Sequence, residues 1–165
     1  MPSLAKRTCL AVFALLVFSS VCCVLSAAQM PLSLEARRKA LNDLLAEQWE
    51  YTLRTSPEFA SYLGDKRWND QLSDFSQEAI DKNLVETKKF LVRFEAIDTT
   101  GFPVQEILNK RLMVRDLKES LEESRFKDSE MPVNQMSGVQ LNLPQMVLIL
   151  SFTTVKDYED YISRL

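Results

Sequence analysis

Apolar residues along this chain recur with helical rather than strand spacing. Leu34, Leu41, Leu44, Leu45, Trp49 and Leu53 fall on one face of a helix predicted from Leu34 to Thr55, with Ser33 as N-cap after Pro31. Ser56-Pro57-Glu58 then reads as a helix start, with Ser as cap, Pro at the first position and an acid in the first turn. The short helix carries Phe59, Tyr62 and Leu63, and Gly64 suits a left-handed C-terminal cap. A polar connector, Gly64 to Asp70, contains Trp68. A second long helix after Ser76 places Ile80, Leu84, Leu91, Phe94 and Ile97 on one face and ends near Asp98, before Gly101. A third runs from Pro103 to Ser124 through Val104, Ile107, Leu108, Leu112, Leu117 and Leu121; Arg111, Arg115 and Glu119 mark its solvated side.

Met131 to Phe152 departs from this pattern. Pro132, Pro144, Gly138 and several amides predict a loop, and the run Met146-Val147-Leu148-Ile149-Leu150 predicts a short buried element whose type periodicity does not fix. Thr154, with Asp157 three residues on, resembles a capping box. Tyr158, Tyr161, Ile162 and Leu165 then begin another amphipathic helix with no closing signal by Leu165, which predicts the front part of something larger. With only three glycines in 165 residues, the chain reads as all-α: the N-terminal helical subdomain of a larger, mostly helical fold, behind a leader.

The leader is residues 1–28. Lys6 and Arg7 give a basic start, Cys9 to Leu25 is free of charge, and Ser26-Ala27-Ala28 offers small residues for cleavage before Gln29. The apolar run sits at the short limit of the ~17–25 residues a membrane span needs, so an uncleaved membrane anchor is the competing reading; once the leader is removed, no stable anchor is expected. Cys22 follows Val21 and Cys23 follows Cys22, neither of which makes a lipidation signal. Residues 29–165 are then exported, to the periplasm or outside the cell. The net charge of −3 becomes more negative without Lys6 and Arg7, and no basic patch suits nucleic acid.

Composition limits the chemistry further. There is no histidine, and Cys9, Cys22 and Cys23 all lie in the leader, so the mature chain has neither imidazole nor thiol. No catalytic residue, metal ligand or cofactor site is therefore assigned within it. Glu47 and Glu50 beside Trp49, and Glu122, Glu123 and Asp128, read as solvated carboxylates. Asp65, Asp70 and Asp74 lack the spacing of a calcium loop. Tyr51, Phe59, Tyr62, Trp68 and Phe75 read as core. The most site-like stretch is Gln135-Met136-Ser137-Gly138, where amide and hydroxyl donors adjoin a permissive glycine; its competing role is to satisfy backbone groups of the loop.

Trp49-Glu50-Tyr51, Ser56-Pro57-Glu58-Phe59-Ala60, Tyr62-Leu63-Gly64-Asp65-Lys66-Arg67 and Leu72-Ser73-Asp74 resemble the N-terminal signature of the bacterial family catalogued as domain of unknown function 885. Glu130-Met131-Pro132, Gln135 to Gly138 and Leu143-Pro144-Gln145 are similar to its next block. Thr154-Val155, Asp157-Tyr158 and Tyr161-Ile162 are similar to the helix after that. The resemblance implies a helical, exported, zinc-metallopeptidase-like protein that hydrolyses peptides in its complete form. The family's zinc motif, a helix with His-Glu and further histidines, has no matching position here. The resemblance thus implies an N-terminal fragment that forms scaffold and one wall of a substrate cleft, with zinc and catalysis supplied elsewhere. The competing class is a stand-alone periplasmic helical binding or adaptor module.

Overall fold

A computed structural model describes residues 32–131, 133–136 and 138–165; the leader expected over 1–28 lies outside the described residues, as do Pro132 and Ser137. Ser33–Leu165 form one compact unit. Its described elements are all helical: α1 (Leu34–Thr55), α2 (Pro57–Tyr62), a 3-10 turn (Lys66–Trp68), α3 (Gln77–Ala96), α4 (Val104–Glu123), two further 3-10 turns (Ser124–Phe126, Asp128–Glu130), α5 (Val139–Met146) and α6 (Val155–Arg164).

Local sequence signals explain most helix ends. The hydroxyl of Ser33 accepts from the Ala36 amide at 3.2 Å, and that of Ser76 from the Ala79 amide at 3.2 Å, satisfying amides that a helix start leaves without partners. Ser56 precedes α2 but makes no such side-chain bond; Pro57 sets that start through its fixed φ. Gly64 has φ +83°, and the bonds Asp65 N–H to Ala60 O (2.9 Å) and Gly64 N–H to Ser61 O (3.0 Å) close α2 in a Schellman motif.

The core joins α1, α3 and α4. Leu41, Leu44, Phe90, Phe94, Phe102 and Leu117 form the buried cluster, with Leu91, Ile97, Ile107, Met113 and Val114 packed against it. Removing such side chains from water contributes about 1.5–3 kcal/mol each. On α4 the packed stripe is Ile107, Val114 and Leu117, whereas Val104, Leu108 and Leu112 face solvent. Arginines lock the helices in place: Arg37 donates to Asp98 Oδ2 (2.6 Å) and to the carbonyls of Asp98 and Thr100 (2.8 and 3.1 Å), while Arg38 pairs with Glu106 at 2.6 Å.

Two expectations are corrected. Of the five aromatics read as core, Phe59, Tyr62 and Phe75 are exposed, and Trp68 is half-buried; only Tyr51 packs on the core, against Phe90 with centroids 5.6 Å apart. The run from Met146 is not a buried element either. Met146 ends α5 and is buried, but Val147, Leu148 and Ile149 are exposed in turns closed by Leu148 N–H to Gln145 O and Ile149 N–H to Met146 O.

Candidate functional site

The first and last blocks of the family-like sequence meet at α6, which is docked through charge. Val155, Tyr158, Ile162 and Leu165 face solvent, Val155 at 74% and Leu165 at 70% exposure, while Asp157 and Arg164 are buried at 7% and 3%. This reverses the apolar-face-inward arrangement that amphipathic spacing predicts.

At the start of α6, Asp157 closes the capping box with Thr154 and pairs with Lys66 at 2.8 Å. Its Oδ2 also accepts from the amides of Thr153 (2.9 Å) and Thr154 (2.8 Å). The Lys66 hydrogen bond and these amides hold the Asp157 carboxyl well below the usual carboxylate range. Lys66 reaches on to the Ser151 carbonyl at 3.2 Å.

At the end of α6, Arg164 Nη2 donates to Ser61 Oγ at 2.9 Å and to the Trp68 carbonyl at 2.8 Å; Nη1 lies 3.8 Å from Met146 Sδ. The Ser61 hydroxyl also lies 2.7 Å from Asn69 Oδ1, so α2 and the 66–69 turn share one buried polar cluster. Among the described residues, Arg164 has no carboxylate within ion-pair distance, and its buried Nε has no acceptor. Burial pulls its pKa down, opposed by the fields of Glu58, Asp70 and Asp160. A guanidinium so placed exchanges hydration for neutral acceptors.

A folded carboxylate held below its unfolded value stabilises the fold above the unfolded value, near pH 4, and loses that contribution as pH falls through the folded value. Undocking of α6 should therefore increase as pH falls below about 4, and Asp157→Asn should remove that dependence. Amide exchange of 155–164 measured relative to α1, α3 and α4 checks this. The internal reference is needed because Glu47, Asp98 and Glu106, which brace those helices, are also held low, each chiefly by hydrogen bonding.

Three of the five carboxylates read as solvated are accessible but engaged: Glu47 with Arg93 at 2.6 Å, Glu50 with Arg67 at 2.8 Å and Glu122 with Arg125 at 2.8 Å. Asp65 is held by Arg67, and Asp74 caps the Ser76 amide, so the acids of the 65–74 connector serve its turns. A cleft of about 550 Å³ lies between α1 and α3, with Tyr51, Trp68 and Phe90 on its wall.

Gln135, Met136 and Gly138 of the candidate stretch precede α5 without regular secondary structure. Gln135 and Met136 are exposed, the latter at 84%. Asn134 Oδ1 accepts from the Met136 amide at 2.8 Å, and Gln140 Nε2 donates to the Asn134 carbonyl at 3.1 Å, so neighbouring amides brace the loop backbone. Gly138, at φ +137°, turns the chain into α5 where a Cβ would lie 2.3 Å from Gln140 Oε1. Ser137 lies outside the described residues.

Among the described residues, no group of three or more His, Cys, Asp or Glu side chains is placed to hold a metal ion. Nor is any described helix long and apolar enough to cross a membrane. The described elements define an all-α fold. Residues 57–165 match the family model described as bacterial protein of unknown function (DUF885), and the chain belongs to that family. No curated protein and no solved structure matches it.

Proposed function

We propose that this chain is the front helical part of an exported, zinc-metallopeptidase-like protein, in which it acts as scaffold and as one wall of a peptide cleft. The observation that carries the reading is the outward apolar face of α6. Val155, Tyr158, Ile162 and Leu165, with Leu148 nearby in sequence, present a strip of the kind proteins cover with further structure. The polar junction beneath fixes that face in place, so the strip is presented rigidly.

The residues present do not fit a zinc centre: the chain has no histidine, and its described acids form no ligand group. Metal and catalytic groups belong, in this reading, to other parts of the complete protein. What this chain contributes is placement. The Gln135–Gly138 segment offers the exposed Gln135 side chain beside a braced backbone, suited to hydrogen-bonding an extended peptide.

In the full-length protein, Gln135→Ala with Ser137→Ala should lower peptide turnover by about tenfold, the worth of one or two hydrogen bonds, with zinc content unchanged. Unchanged turnover would return the loop to a structural role. The second reading, a stand-alone periplasmic binding or adaptor module, is favoured by the bundle's own core around Leu41 and Phe94.

A further inference from the structure

We propose that the cleft between α1 and α3 binds a carboxylate group, held between Arg54 and Lys82. Across the cleft, the Tyr51 hydroxyl donates to Asn83 Oδ1, fixing the two helices at this level. Arg54, one turn beyond Tyr51, lies over its ring at 5.7 Å, and Lys82 directly precedes Asn83. The same hydrogen bond therefore brings both cations to one place. Both line the 550 Å³ cleft and the adjoining cavity of about 540 Å³.

Charge accounting favours an anion. Three acids line the cleft, and each is paired with a cation: Glu47 with Arg93, Glu50 with Arg67, which it shares with Asp65, and Glu86 with Lys89 at 2.7 Å. Arg54 and Lys82 have no ion-pair partner among the described residues, so their charged groups are left to meet an anion from outside the chain. Asp74 and Glu78 line only the adjoining cavity, and Asp74 is committed to the Ser76 amide. A guanidinium fork matches a carboxylate in two parallel hydrogen bonds, with an ammonium as a second point charge. A dianionic phosphate would meet stronger repulsion from the three wall carboxylates than a monoanion does. Trp68 and Phe90 supply an apolar flank for whatever carries the carboxylate.

That the carboxylate belongs to a peptide rests on the reading above; the cation pair does not. The test is a titration of the chain followed by nuclear magnetic resonance. Four probes are compared: a tripeptide with a free C-terminal carboxylate, its C-terminal amide, an amidated tripeptide with an aspartate side chain, and 3-phenylpropionate. The expected result is that the free acid binds about tenfold or more tightly than its amide, shifting resonances of residues 51–55 and 82–86. R54Q/K82Q should abolish that difference with an unchanged circular dichroism spectrum, and R111Q, an exposed cation on α4, should keep it. Binding of the aspartate amide as tight as the free acid supports the proposal with a side-chain source. Binding of 3-phenylpropionate alone, dependent on Arg54 and Lys82, supports the carboxylate site and overturns its peptide assignment. Equal binding of acid and amide, a difference that survives R54Q/K82Q, or no carboxylate binding overturns the proposal.

Discussion

Phe94→Ala is expected to destabilise the chain by about 3–5 kcal/mol, enough to unfold much of a marginally stable domain. Phe94 is fully buried on α3 at the meeting of α1 and α4, with Leu41, also fully buried, in the same cluster. Truncation removes the largest single apolar contribution and leaves a void that three separately anchored helices cannot easily close. The Arg37–Asp98 and Arg38–Glu106 bridges hold the helix ends where they are, so relaxation into the cavity is resisted. Chemical denaturation followed by circular dichroism should show the midpoint falling with little change in slope. A loss under about 1 kcal/mol would place the core elsewhere.

Arg164→Ala should act on a different unit. It removes the donor to Ser61 and to the Trp68 carbonyl and empties the space beside Met146. Losing hydrogen bonds from a charged donor costs about 1.5–3 kcal/mol, although the Trp68 carbonyl keeps the Gln71 amide at 3.1 Å and Ser61 keeps Pro57 and Asn69. The guanidinium's own desolvation, with Nε unsatisfied, offsets part of its benefit, so the net loss falls within that range rather than above it. The consequence should be local. Amide protection of 155–164 is expected to fall by about tenfold to a hundredfold while α1, α3 and α4 keep theirs. A uniform loss over all helices would show that α6 and the bundle unfold as one unit. No loss at all would show that the exposed-face docking of α6 does not depend on this arginine.

The sequence pattern matches α1, α3 and α4 within a residue or two because each combines a cap signal with a continuous helical stripe: Ser33 before Leu34, Ser76 before Gln77, Pro103 before Val104. The capping box at Thr154 and the left-handed Gly64 were equally legible, since both are local backbone requirements. What escaped was set by contacts distant in sequence. Asp157 and Lys66 are 91 residues apart, and Arg164 and Ser61 are 103 apart. On a helical wheel both α6 charges fall on the polar side, the side normally given to water, and only the fold reveals that this side is buried. The same holds for Arg54 and Lys82. Neither is remarkable as a letter, and their shared position depends on the Tyr51–Asn83 bond between α1 and α3. The 146–150 run misled because five successive apolar residues carry no period, and here Met146 ends α5 while Val147 to Ile149 form turns.

In the proposed function this chain positions substrate and does not itself perform peptide hydrolysis. The direct measurement is peptidase activity of the purified chain against a mixed peptide library, with zinc added and with a chelator added, alongside calorimetric zinc binding. The account predicts no turnover in either condition and no stoichiometric zinc binding at micromolar affinity, with both present in the full-length protein. Turnover by the chain alone that resists the chelator would contradict it.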